Sequence, residues 1–112
     1  MNKSIYLTVN GAKIAGLLSV SHQMNREYEI SSGKLSLKNS APVITFKRAI
    51  YPGEINDGVE IKSLTGFNVE LHVGSRVSKL NACEWVDFSE SIEENRIVES
   101  YKIAATSVSF SY

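Results

Sequence analysis

The stretch FNVELHVGSRVSKLNACEWVDF, Phe67–Phe88, predicts a β-hairpin and decides the fold class. Its first seven residues alternate apolar and polar side chains, which is typical of a strand with one buried face. Gly74 and Ser75 follow, and glycine in the first central position of a two-residue turn favours a type II′ hairpin. The returning strand loses its alternation near Leu80–Ala82. We therefore expect either burial on both faces there or a bulge that switches the buried face.

Length and composition predict a single folded domain over residues 1–112. The apolar content of 43% argues against disorder. Twelve basic and twelve acidic side chains give no net charge, which argues against a nucleic-acid-binding surface at the level of the whole chain. A chain without net charge has little self-repulsion, and this favours a protein that assembles with copies of itself.

Targeting and redox signals are weak in this chain. Cys83 is the single cysteine, so no intrachain disulfide forms, and we expect a small buried thiol. The first nine residues lack the apolar run of a signal peptide, and no stretch approaches the ~20 apolar residues of a membrane span. We expect a protein made in the cytoplasm, without a signal peptide and without a membrane partner.

The N-terminal half reads as a series of strands. Ser4–Asn10 alternates and ends in Asn10-Gly11, a strong two-residue turn signal, so Ile14–Met24 is expected to return as its hairpin partner. Asn25–Ile30 extends that second strand. Ser31–Ala41 is loop-like yet alternates at its leucines, so it is a protruding arm, a loop or an extra edge hairpin.

The C-terminal half continues the pattern. After the strand Val43–Ile50, residues Glu54–Gly66 form a short helix capped by Asp57, or an irregular loop. Arg96–Tyr112 is a last strand or pair of strands, which should pair with another strand. The chain is therefore predicted to be mainly β: a small antiparallel β-barrel or sandwich with one short flanking helix.

Catalytic motifs do not emerge from the sequence. His22, His72 and Cys83 lack the spacing of a metal or nucleophile site, and the acidic cluster Glu90–Glu94 suits a solvated turn. No phosphate-binding loop or nucleophile elbow occurs. We expect no enzymatic activity, no metal and no cofactor.

The order of signals resembles the tail-tube proteins of bacteriophages with contractile tails and of phage-derived bacteriocin particles. The resemblance covers most of the chain and rests on short features: the Asn10-Gly11 turn, Ile14-Ala15 leading into a long strand, the polar stretch Asn25–Glu27, the Lys-Arg pair within Ile44–Ile50, and an ending with Trp85, Phe88, the acidic link Glu90–Glu94 and a closing strand. The segment that matches the family's long arm, Ser31–Ala41, is shorter than usual, which keeps a tube-initiator or adaptor protein of the baseplate as a variant.

This resemblance implies a structural subunit of a phage or phage-like tail. Six copies would form a ring, and rings would stack into or initiate the inner tube through which DNA or an effector passes. Implied partners are further copies of the chain and tail sheath or baseplate proteins, with DNA only as a passing cargo. The implied location is the virion tail or a phage-like particle, and the family has no catalytic residues.

Two sets of residues are candidates for these roles. Candidates for subunit or inter-ring contact come from the arm, the central hairpin and the C-terminal strand: Lys34, Leu35, Leu37, Lys38, Trp85, Phe88, Val108, Phe110 and Tyr112. Candidates for polar residues facing the lumen are Glu70, His72, Glu84 and Glu99.

Two other readings stay open at this point. A monomeric β-sandwich binding module would recognise a protein or small ligand through the loops 31–41 and 51–66. A small β-barrel enzyme would require activity that depends on a residue such as His72.

Overall fold

The computed structural model describes residues 5–53 and 58–112, apart from the side chains of residues 39 and 40. Eight strands dominate these residues. They are β1 (Ile5–Val9), β2 (Ala12–Lys13), β3 (Leu17–Ser31), β4 (Lys34–Ile50), β5 (Phe67–Val73), β6 (Arg76–Ile92), β7 (Ile97–Ala104) and β8 (Ser107–Ser111).

All strand pairs are antiparallel, in the order β2-β1-β5-β6-β7-β4-β3, with β8 also paired to β6. Because β6 is long, its first half joins β5 and β8, and its second half joins β7. We call β2-β1-β5-β6-β8 the first sheet and β6-β7-β4-β3 the second sheet. The predicted mainly antiparallel β fold is confirmed, and the hydrogen-bonded path is open, since the described strands at its two ends do not pair with each other.

The β6 strand changes sheets at a bulge. Phe67 pairs with Cys83 while Val69 pairs with Leu80, so β6 carries one extra residue, and Ala82 adopts a positive φ of 50°. This bulge switches the buried face from Leu80 to Cys83, so the bulge is the one observed of the two alternatives expected from the lost alternation. The strand can therefore serve both sheets without a break.

The first turn is where the sequence predicts, but the strand that follows it pairs elsewhere. Asn10 and Gly11 have φ of 50° and 85°, as a type I′ turn requires. Only the two-residue β2 returns along β1; the prediction that Ile14–Met24 is the partner is wrong, because β3 pairs with β4. The chain leaves β1 at Gly16, whose positive φ of 71° and carbonyl bond to the Ala49 amide (2.8 Å) direct it to the second sheet.

The outer halves of β3 and β4 form a hairpin that extends beyond the core. Its tip is Ser32 and Gly33, with φ of 53° and 74°, again a type I′ turn. The β7 ladder ends at Val43, so beyond the Met24–Pro42 pair the described residues from Asn25 to Ala41 pair only with each other. We call residues 24–41 the arm. The loop-like segment Ser31–Ala41 is thus half of a β-hairpin, and the molecule measures 61 × 29 × 21 Å.

Residues 58–66 cross the core side of the second sheet, and we call them the strap. Their helical content is one 3-10 turn, Ile61–Ser63, so the expected short helix is reduced to a single turn among the described residues. The proposed cap, Asp57, lies outside the described residues. Ile61 is fully buried and anchors the strap in the core. None of the described helical residues forms a span long and apolar enough to cross a membrane.

The core lies between the two sheets. The first sheet contributes Leu7, Val9, Phe67, Val69, Leu71, Leu80 and Cys83, and the second sheet contributes Ile44, Phe46, Tyr101 and Ile103. The Cys83 thiol is fully buried, and burial raises its pKa to about 11. Its role is that of a small apolar side chain, as the sequence predicts.

Candidate functional site: the sheet edges and the arm

The second sheet has one apolar and one polar face. Its core side carries the buried side chains described above. Its opposite side carries mostly hydroxyl and charged groups: Ser19, Ser21 and Gln23 on β3; Thr45 and Lys47 on β4; Ser100 and Lys102 on β7; Asp87, Ser89 and Ser91 on β6. We call this set the polar face. Cross-strand register places Asp87 directly opposite Lys102, so part of the charge on this face is balanced locally.

Both side edges of the second sheet lack a strand partner among the described residues. On one side, β3 pairs only with β4. On the other side, residues 84–92 of β6 pair only with β7, because the β5 ladder ends at Cys83. Unpaired edges of this length present rows of amide and carbonyl groups that can bind another strand.

Each of these edges also exposes apolar side chains. On β3, Leu18 is 41% exposed and lies at a register shift between Leu17 and Ser19. On β6, Val86 is 55% exposed and lies at a register shift between Trp85 and Asp87. Trp85 is itself 38% exposed. A surface that is apolar and also offers unpaired backbone groups is typical of an interaction site.

The strap contacts the side chains of the β6 edge. The edge backbone of residues 84–92 has no strand partner on that side among the described residues. The Trp85 indole donates to the Lys62 carbonyl (3.2 Å), and the Lys62 ammonium lies 4.7 Å from the centre of the Phe88 ring. The Glu84 carboxylate accepts a hydrogen bond from the Gly66 amide (2.8 Å). These contacts fix the edge strand before any partner binds it.

The arm has one apolar face. Ile30 lies opposite Leu35 and Tyr28 lies opposite Leu37, and these side chains are 77%, 66%, 46% and 54% exposed, respectively. The predicted contact residues Leu35 and Leu37 therefore lie on one stripe. Lys34 pairs with Ser31 beside the tip, and Lys38 lies at a register shift.

The C-terminal strand pairs with β6 of the same subunit, whereas the sequence predicts only that it pairs with another strand. Its register with β6 places Val108 opposite Leu80 and Phe110 opposite Ser78. Val108 packs on the core, whereas Phe110 is 46% exposed. Tyr112 follows the strand and is exposed.

The four candidate lumen residues do not share one surface. Glu70 and His72 lie on the outer face of the first sheet, where the carboxylate is 3.0 Å from the His72 Nε2 atom and the Tyr6 ring stacks on the imidazole at 4.3 Å. Glu84 lies at the end of the polar face of the second sheet. Glu99 is 5% exposed and lies inside the subunit, so it does not line a surface of this chain.

Glu99 belongs to a buried polar cluster. Its Oε1 atom accepts hydrogen bonds from Arg48 Nε (2.8 Å) and from the Tyr101 hydroxyl (3.3 Å). Arg48 also donates through Nη2 to the Val59 carbonyl (2.9 Å), which ties the strap to the second sheet. Burial and the adjacent Glu99 charge raise the pKa of Tyr101 to about 12. These hydrogen bonds hold β4, β7 and the strap together, and the side chains of the cluster are buried.

Sequence reasoning missed Leu18, Val86 and Ile30, the exposed apolar residues at the edges and on the arm. A signal existed for Ile30, since it continues the apolar parity of its strand past the polar stretch. Leu18 and Val86 lie at register shifts, which alternation alone does not reveal. The described residues contain no group of three His, Cys, Asp or Glu side chains that could hold a metal ion.

Comparisons with known proteins identify the fold. No protein-family model and no curated protein sequence matches the chain. Among solved structures, a chain in the virion of a native gene transfer agent particle is 12% identical, with a TM-score of 0.66 over 100% of this chain and 98% of that one. The chain has the phage tail-tube fold. The tail-tube fold also appears in Hcp1 from Flavobacterium johnsoniae, which is 18% identical with a TM-score of 0.63 over 95% of this chain and 93% of that one.

A third similar chain with the tail-tube fold comes from the sheath-tube complex of an extracellular contractile injection system in its extended state. It is 12% identical, with a TM-score of 0.65 over 96% of this chain and 87% of that one. At these identities the shared property is the fold, and the near-complete coverage shows that it extends over the whole domain.

Proposed function

We propose that this protein is a structural subunit of a phage or phage-like tail, which forms a ring that stacks into or initiates the inner tube. The observation that carries the proposal is the second sheet, which has a polar face and two edges without a strand partner in residues 5–53 and 58–112. The tail-tube fold supports the same conclusion. The proposed role is structural, without catalysis.

Strand direction makes the two edges complementary. The second sheet has four antiparallel strands with β6 and β3 at its two edges, so β3 and β6 run in opposite directions. If β3 of one copy lies beside β6 of the next, the antiparallel alternation continues across the contact. Every copy then uses the same two edges, and a closed ring leaves none of them unpaired.

The position of the first sheet and the strap decides which face of the second sheet lines the channel. The first sheet and the strap both pack on the core side of the second sheet, so that side must lie on the outside of a closed ring. The polar face is then on the inside. Its hydroxyl groups and the opposed charges of Asp87 and Lys102 leave Lys47 as the unbalanced charge of this set, so the wall has little affinity for phosphate groups. In this arrangement Glu84 lies near the channel wall, whereas Glu70 and His72 lie on the outer surface.

The remaining contacts follow from this orientation. The Leu18 and Trp85 side chains are covered by the neighbouring copy, and the apolar stripe of the arm contacts an adjacent ring. Sheath or baseplate proteins bind the outer surface, and DNA or an effector passes through the channel. Six copies is the number we propose, because similar structures include a baseplate with 6-fold symmetry and a tail with C6 symmetry.

The test separates ring closure from stacking. Val86→Lys places a charge at the β6 edge and should leave a folded monomer, because lysine on an edge strand opposes strand addition. The double variant Leu35→Lys with Leu37→Lys should form single rings that do not stack. Ser75→Lys, in the exposed β5–β6 turn, is the matched control and should assemble like the unmodified protein.

Sedimentation velocity and negative-stain electron microscopy would report assembly, and circular dichroism would report folding. Rings from Val86→Lys at the same concentration as from the unmodified chain would contradict the edge contact. An unmodified chain that stays monomeric at every concentration, and in the presence of its tail partners, would refute the proposed function.

A further inference from the structure

The end strands of the two sheets meet at an aromatic contact. His22 lies on the core side of β3, opposite Ile44, and its ring centre is 6.1 Å from the ring centre of Phe110 on β8. Among the described residues, no backbone ladder joins β8 to β3 or β4. Side-chain contacts such as this one therefore hold β8 against the base of the arm.

The His22 ring is suited to this position only when it is neutral. Its Nε2 atom is buried and has no hydrogen-bond partner among the described residues. A neutral imidazole can leave one nitrogen unprotonated, whereas a protonated ring carries N–H groups on both nitrogens. Protonation would therefore create a buried donor without an acceptor, which destabilises the closed arrangement.

The Arg76 charge acts on His22 in the same direction. Arg76 on β6 is the charged neighbour whose field reaches the ring, and Arg26 lies four residues further along the same face of β3. The facing groups on β4 and β8, Ile44 and Phe110, are uncharged. Burial, and then the Arg76 charge, hold the pKa of His22 below its ordinary value.

We propose that His22 and Phe110 form an acid-sensitive latch, and that protonation of His22 releases β8 from the base of the arm. The released state binds the proton more readily than the closed state. The closed latch is therefore fully favoured above the ordinary histidine pKa of about 6.5 and is weakened as the pH falls below it. The opening constant of β8 should rise by at most about tenfold per pH unit below that value.

Amide hydrogen exchange on the monomeric protein tests the latch, independently of any ring assembly. Exchange would be measured at about pH 7.5 and about pH 5, either side of the ordinary histidine pKa, and corrected for the intrinsic pH dependence of exchange. The strand β8 keeps its ladder to β6 but loses its support from the base of the arm, so it opens more easily. We therefore expect Ser107–Ser111 to lose part of their protection at the lower pH while the core strands β5 and β7 keep theirs. His22→Leu should abolish this difference.

The chain offers a matched control, because its two histidines are His22 and His72. His72→Leu should leave the pH response of β8 intact. Protection of β8 that does not change with pH, or a response that persists in His22→Leu, would overturn the proposal. If His22→Leu does not fold, an NMR titration of the unmodified protein decides: the His22 ring and the β8 amides must titrate with one midpoint, and separate midpoints refute the latch.

Discussion

Replacing Glu99 by Gln should destabilise the subunit far more than its conservative chemistry suggests. The side chains of Arg48 and Glu99 are 6% and 7% exposed, and their ion pair spans 2.8 Å between β4 and β7. Gln keeps the shape but removes the Glu99 charge that lies against the buried guanidinium. Removing one partner of a buried pair costs about 3–5 kcal/mol. We take the lower value, about 3 kcal/mol, because Arg48 keeps its bond to the Val59 carbonyl.

The expected change is large enough for routine measurement. In a domain of this size each kcal/mol shifts the melting temperature by roughly 4 °C, so Glu99→Gln should melt about 12 °C lower. Urea denaturation followed by circular dichroism would give the free energy of unfolding. The double variant Arg48→Met with Glu99→Leu should recover most of the loss, because an apolar pair of similar volume removes both buried charges.

The matched control is the exposed pair of Arg96 and Glu93, joined at 2.6 Å in the β6–β7 turn. Glu93→Gln should leave the melting temperature unchanged, since exposed pairs contribute little. A loss below about 1 kcal/mol in Glu99→Gln would show that water or a rearranged Arg48 compensates the missing charge, and would refute the reasoning.

Three further predictions concern single positions. Gly16→Ala should prevent or severely impair folding, because its Cβ would lie 2.2 Å from the Ala49 carbonyl oxygen. The control Gly11→Ala also has a positive φ but open space around it, and it should cost only about 1–2 kcal/mol of unfolding free energy. Equal losses in thermal unfolding would contradict this prediction. Cys83, buried and with a pKa of about 11, should resist a thiol reagent until urea unfolds the chain, and rapid labelling of the native protein would argue against it. Leu80→Ala should cost about 2–5 kcal/mol of unfolding free energy, and a loss below about 1 kcal/mol would mean that the core collapses around the cavity.

Local backbone chemistry explains what the sequence could predict. The turns at Asn10-Gly11 and Gly74 depend on residues that tolerate positive φ, and such residues are visible in the sequence. The bulge at Ala82 was visible as a change in which parity is apolar. The strand periods followed from alternation, so the fold class could be predicted without any long-range information.

Long-range pairing could not be predicted in the same way. The β3 strand has an apolar parity that would suit either β1 or β4, and only the chain direction after Gly16 decides between them. Glu99 appeared to be a surface residue because its partner, Arg48, is 51 positions away. The sequence did offer a sign of burial, because Glu99 lies at a position of its strand where the alternation places apolar residues.

The candidate site was predictable only in part. The alternation of Leu35 and Leu37 indicated one apolar stripe on the arm, and both side chains are exposed as a contact role requires. The sequence indicated Trp85 and Phe88 as contact residues, but which strand edges lack partners depends on the complete pairing of the sheet, so the unpaired backbone of residues 84–92 could not be predicted from a local pattern. The sides of the molecule on which Glu70 and Glu84 lie also depend on how the two sheets pack.

The pairing order has a consequence for how the chain folds as it is synthesised. The β3–β4 hairpin closes through the two-residue turn at Ser32-Gly33, so its contacts are local and can form within microseconds. The strand β1 pairs with β5, which begins 58 residues after β1 ends, so β1 stays unpaired with β5 until that later strand has been synthesised. Such distant contacts form slowly. In a nascent chain the arm is therefore folded while Leu7 and Val9 are still exposed. We expect chaperones to bind the chain mainly during this interval, because its apolar side chains are then accessible.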